Sequence, residues 1–135
     1  MKKLSANPRE LEILGDGRQR KSYLDVVDGV NGIFCAIERA TGRKNLFNLG
    51  HHDVMNVMDV AAIVVAELGL SGVTYRPTGG DRGWLGDSPF VHLDTQRIRA
   101  LGWEPGVSIA DGIRNSARYL TAHPAVLDRR PIGGL

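Results

Sequence analysis

Apolar and polar positions repeat with two different periods along this chain, and the switches between them mark its elements. Leu11 to Leu14 is a short apolar-rich run halted at Gly15, which predicts a strand, and Ser22 to Val26 predicts a second. Val30, Ile33, Phe34 and Ile37 then recur at i, i+3, i+4 and i+7, the spacing of one helix face. Asp25 or Asp28 caps that helix, and Gly42 ends it. Asn45 to Gly50 (NLFNLG) predicts a compact strand. Asn56, with Asp59 three residues on, opens a helix whose stripe is Val57, Val60, Ala61, Val64 and Leu68, stopped by Gly69. Val73 to Pro77 predicts a third main strand, followed by a glycine-rich loop over 78–87. Phe90 to Asp94 predicts a short strand. Asp94 caps a brief helix ended by Gly102. Ser108 and Asp111 open a last helix lined by Ile109, Ile113, Ala117 and Leu120. Past His123 and Pro124 the tail, ending PIGGL, is expected to fray.

Strands alternating with helices make this a mixed α/β chain, and 135 residues suit one domain. Neither a Gly-x-Gly-x-x-Gly turn between strand and helix nor a Tyr-x-x-x-Lys pair occurs in the sequence. The 17 cationic and 15 acidic residues leave a net charge of +2, too little to imply a nucleic-acid partner. A binder built on Arg18, Arg20, Lys21, Arg97 and Arg99 would also need stacking aromatics, and most aromatics here sit in apolar patterns. Arginine supplies most of the positive charge, so its placement matters more than its sum. The single cysteine, Cys35, excludes an internal disulfide and suits a reducing compartment. The longest apolar run, Val60 to Ala66, is far too short for a bilayer. The expectation is a cytoplasmic chain without a membrane partner.

Three segments carry a resemblance in the right order. LEILGDGRQRKSYLDVVDGVNGIFCAIERA looks like a strand, glycine turn, cation, aromatic and helix; NLFNLG with NVMDVAAIVVAELG like a strand-to-helix unit. GGDRGWLGDSPFVHLDTQRIRALGWEPGVSIADGIRNSARYL closes the set, with Leu-Gly-Trp-x-Pro at Leu101 to Pro105. Together, over about residues 4–120, they resemble the C-terminal half of NAD-dependent nucleotide-sugar epimerases and dehydratases, the extended short-chain dehydrogenases. The resemblance implies a small mixed α/β substrate-binding lobe without the Rossmann half, with 121–135 as a tail. It implies a UDP-glucose 4-epimerase-like parent in which NAD and the catalytic Tyr and Lys belong to the other half. That half is expected from the same or a companion chain, and this chain alone is not expected to turn over substrate. A stand-alone protein-interaction module derived from such an enzyme is the rival reading.

The resemblance also implies where a nucleotide diphosphate is held. Lys21, two residues before Tyr23, stands where the family carries an arginine, and Arg20 beside it is the alternative cation. Lysine is a point charge without arginine's bidentate fork. Arg82, in the loop before Gly86 and Asp87, is the second implied phosphate contact, at a longer spacing than usual and with Arg76 as competitor. The bland reading of Arg82 is a surface pair with Asp81 or Asp87. The backbone of Glu12, Ile13 and Leu14 is implied to lie along the nucleobase, and Tyr23 to pack beside the phosphates. Trp84 would lid the ligand or fill an interface; Trp103 reads as structural, and Cys35 as a small buried hydrophobe. His51, His52 and Asp53 invite a metal, but consecutive residues do not easily face one ion and no further ligand spacing appears, so no metal is expected. An apolar patch left by a missing half is expected to drive self-association.

Overall fold

The computed structural model describes residues 1–128 of the 135; the expected frayed ending PIGGL lies outside the described residues. A short helix α1 (Lys2–Ala6) leads into β1 (Glu10–Ile13). Then come β2 (Arg20–Lys21), α2 (Val26–Arg39), β3 (Met55–Asn56), α3 (Val57–Glu67) and β4 (Thr74–Pro77). β5 (Phe90–Val91), α4 (Gln96–Arg99), α5 (Ile109–Ala122) and α6 (Pro124–Asp128) complete the order. Two small sheets result. β1 and β4 pair in parallel, Leu11 opposite Tyr75; β2 lies between an antiparallel β3 and a parallel β5. Among the described residues, no helix is long and apolar enough to cross a membrane.

The main core joins the first sheet to α1 and α3: Leu4, Leu11, Ile13, Ala61 and Val65 are buried together, with Val64, Leu68 and Tyr75 against them. Helix α3 starts where expected, Asn56 Oδ1 accepting the Met58 amide at 2.7 Å. Helix α5 does so too: Ser108 Oγ accepts the Asp111 amide at 3.1 Å and donates to the Asp111 carboxylate at 2.7 Å. Arg118 on α5 grips Glu67 on α3 with two bonds, at 2.8 and 3.0 Å.

The structure departs from the sequence expectation in four places. Ser22 to Val26 is not a strand: pairing stops at Lys21, because Asp25 accepts the Val27 amide at 2.9 Å and turns the chain into α2. Asp28 is not the cap. It is buried within α2, its carboxylate accepting the Gly106 and Val107 amides at 3.1 and 2.9 Å, while its carbonyl accepts Trp103 Nε1 at 3.2 Å. Helix α2 ends at Arg39, short of Gly42. Asn45 to Gly50 forms no strand, since no described strand lies beside it to share backbone hydrogen bonds. Trp103 is structural as expected, buried against α2 at Gly32, where an added Cβ would lie 3.0 Å from the indole.

Candidate functional site

The glycine turn after β1 sets the site's floor. Gly15 has φ +85°, and an added Cβ there would lie 1.8 Å from the Gln19 amide nitrogen. Only glycine lets the chain double back so tightly. Gln19 Nε2 donates to the Leu14 carbonyl at 2.9 Å and Thr78 Oγ1 accepts the Gly15 amide at 2.9 Å, fastening the turn from within and from the glycine loop.

A cavity of about 310 Å³ opens above this turn. Glu12, Ile13 and Leu14 form one wall, Lys21 and Tyr23 another, and Gly83, Trp84 and Asp87 close the third. Five of the seven substrate residues named from the sequence therefore share one cleft. Arg20 does not. Adjacent residues of a strand face opposite sides, and Arg20 projects away, its guanidinium 5.6 Å above the Phe90 ring. Arg82 is not on the cleft wall either. Its side chain is 56% exposed, with Asp81 at 3.9 Å, although its neighbour Gly83 lines the cleft. Its competitor Arg76 pairs with Glu10.

The cleft cation has a partner that the sequence did not suggest. Lys21 Nζ donates to Asp87 Oδ1, and Asp87 Oδ2 accepts the Gly83 amide at 3.1 Å. The Asp87 side chain is 7% exposed and that of Lys21 31%. The hydrogen bond from Lys21 is the main cause holding the Asp87 carboxyl below its ordinary range. Burial pushes the Tyr23 phenol up, so it stays a neutral hydrogen-bonding group. Trp84 was legible only as an aromatic in a glycine loop; its ring lies where a Cβ on Gly86 would come within 2.6 Å.

A second cavity, about 570 Å³, lies beside β5, lined by Arg20, Phe90, His92 and the start of α5. His51, His52 and Asp53 complete its wall, one donor atom from each lying within 4.8 Å of the others and the two imidazoles stacked at 4.3 Å.

Parallel β1–β4 pairing, a glycine turn leading from β1 into β2 and a cleft over the turn define a small mixed α/β lobe. Comparison places that lobe among known proteins. No family model matches the chain. A GDP-L-fucose synthase homologue of Oryza sativa subsp. japonica is 29% identical over 118 residues, covering 84% of this chain and 31% of its own length. A solved UDP-galactose 4-epimerase superposes with a TM-score of 0.75 at 30% identity, over 90% of this chain and 38% of that one. The UDP-glucose 4-epimerase of Thermotoga maritima, solved with UDP-glucose, gives 0.69 at 27% identity over 85% and 36%. Homologues and structural neighbours are thus NAD-dependent nucleotide-sugar epimerases and dehydratases, and this chain corresponds to their C-terminal portion. It spans about a third of the length of the curated relatives it matches.

Proposed function

We propose that this chain is the nucleotide-sugar-binding part of an NAD-dependent epimerase or dehydratase, with the nucleotide diphosphate held in the 310 Å³ cleft. The observation that carries the reading is the convergence of the β1 edge, Lys21, Tyr23 and Trp84 on that cleft. An extended strand end offers backbone donors and acceptors to a base edge, and a tryptophan face offers it a stacking surface. An ammonium has three donors. Asp87 takes one, which leaves two for a diphosphate oxygen. Arg82, one residue from the cleft wall and held only by a long, exposed pair with Asp81, supplies the second cation.

Hydride transfer belongs, in this reading, to the remainder of the enzyme, which brings NAD and the Tyr/Lys pair in the same or a companion chain. Its docking surface is the outer face of α2, where Val26, Ile33, Phe34 and Ile37 are exposed, with Leu46 exposed in the following segment. The same face favours the rival reading, a stand-alone interaction module. The two differ in ligand response. Chemical-shift perturbation with UDP, GDP and dTDP should move the Leu14, Lys21, Tyr23 and Trp84 signals together. A spectrum unmoved by millimolar nucleotide diphosphate would reject the nucleotide-sugar reading in favour of the module.

A further inference from the structure

We propose, on the nucleotide reading of the cleft, that Gln19 is a further substrate-binding residue. Its carboxamide oxygen accepts a hydrogen bond from the nucleoside of the bound nucleotide, from a base N–H or a ribose O–H. Gln19 lines the 310 Å³ cleft and is only 5% exposed. Among the described residues, its Oε1 is the one buried side-chain nitrogen or oxygen without a hydrogen-bond partner. Buried polar atoms are nearly always paired, so an orphan acceptor in a ligand cleft calls for a donor from outside the chain.

The orientation of the amide is fixed. Its Nε2 donates to the Leu14 carbonyl at 2.9 Å, and a carbonyl only accepts, so the nitrogen faces Leu14 and the oxygen is turned away. The backbone holds the residue as well, the Gln19 carbonyl accepting the Val57 amide at 3.0 Å. Two amides of the surrounding turns are engaged elsewhere. That of Gly15 goes to Thr78 Oγ1 at 2.9 Å, and that of Gly83 to Asp87 Oδ2 at 3.1 Å. A phosphate oxygen is itself an acceptor and cannot satisfy Oε1. The diphosphate therefore belongs at Lys21 and the nucleoside at Gln19. A nucleoside brings the donors required: the ring N–H of uracil, thymine or guanine, and the hydroxyls of the sugar. The Arg82 carbonyl packs over Gly15 beside the amide, 3.0 Å from an added Cβ whose distance to Gln19 Nε2 is 1.8 Å. A ligand reaches Oε1 by lifting this part of the glycine loop. The loop has its pivot at Gly80, at φ +81°, where an added Cβ would meet nothing within 4 Å.

Carbon-13 NMR of the full chain tests this, read at the Gln19 side-chain carbonyl (Cδ) during titration with UDP, GDP and dTDP. With whichever diphosphate moves the Leu14, Lys21, Tyr23 and Trp84 signals, Cδ is expected to move downfield, as a carbonyl does on gaining a donor. The donor is then located on the ligand. Forms lacking one sugar hydroxyl, and a form methylated at the ring N–H of the base, are titrated in turn. The form that has lost the donor should bind about fivefold more weakly, the worth of one neutral hydrogen bond. Loss on deoxygenation assigns the contact to the sugar, and loss on methylation assigns it to the base. Gln19→Met removes the acceptor, and in that variant the same ligand change should cost nothing. A glutamine that only fastened the turn would weaken every ligand alike and leave that cost intact. The Cδ shift in the parent holds however well the variant folds. Cδ unmoved while the cleft signals shift, or the same cost in parent and Gln19→Met, would overturn Gln19 as a contact and leave the nucleotide reading standing. Cleft signals unmoved by all three diphosphates would overturn both.

Discussion

At the scale of the residue, Lys21 and Arg20 show how one position decides a role. Both are cations in one two-residue strand, and the sequence alone left either as the phosphate contact. The pleat separates them: Lys21 enters the cleft and Arg20 covers Phe90. Lys21→Ala should therefore weaken nucleotide diphosphate binding about tenfold, Arg82→Ala less, and Arg20→Ala hardly at all, with Arg43→Ala as a distant control. A charge-assisted hydrogen bond is worth about 1.5–3 kcal/mol, and sharing the ammonium with Asp87 keeps the loss near the lower end. Titration by NMR checks it; equal losses at Arg20 and Lys21 would deny the cleft its selectivity. Asp87 adds a pH dependence. Its folded pKa is depressed, so its contribution to stability is complete above the ordinary carboxylate value and is lost as pH falls through the lower folded value. Thermal melts from pH 5 downward should show a steeper loss for the parent than for Asp87→Asn. His51 acts at milder pH. Burial, then His52, lower its pKa, so the unfolded chain takes up a proton first and stability falls as pH drops below about 6.5. His51→Gln should flatten the melting temperature between pH 7 and pH 5.5.

At the scale of the element, the residues that set helix starts were the most legible, because a cap is a local bond. Asn56, Ser108 and Asp25 all accept the amide their position predicts. Asp28 was not legible as a tie, because its partners lie 78 and 79 residues away and no local spacing encodes them. The difference has a measurable consequence. Asp25→Ala removes a cap and should cost about 1 kcal/mol. Asp28→Ala strands two backbone amides and should cost about 2–3 kcal/mol, read by urea denaturation; equal costs would mean that the tie between α2 and Gly106–Val107 is replaced by water. Helix α2 also shows why periodicity identifies a helix face without saying what covers it. Its apolar stripe faces outward, while Asp28 and Gly32 form the side packed on Trp103. The five cleft residues were readable through their resemblance to a family, but Asp87 as the partner of Lys21 was not, since 66 residues separate them.

At the scale of the whole molecule, burial is out of proportion to the sequence. Among the described residues nine hydrophobic side chains are buried, while fourteen large ones are exposed, six of them on α2. A chain of this length that ordered itself only for its own sake would turn the α2 stripe inward. Instead α2 offers Val26 at 74% and Ile37 at 71% exposure, and the irregular segment after it carries Leu46 at 74%. An exposed apolar helix face is a surface that proteins cover where they can, and the chain spans about a third of the length of the curated relatives it matches. Alone in solution the chain should therefore self-associate with rising concentration. Multi-angle light scattering across a dilution series checks this, with Ile33→Lys/Ile37→Lys as the comparison. Both side chains are already exposed, so the double variant should keep its melting temperature while its mass falls to that of one chain. A parent that stays monomeric at every concentration would show that the α2 face needs no cover. A double variant that still associates would move the contact to another surface. Supplying the remainder of such an enzyme in trans should compete with self-association for the same face, and it should lose that ability with the same two lysines.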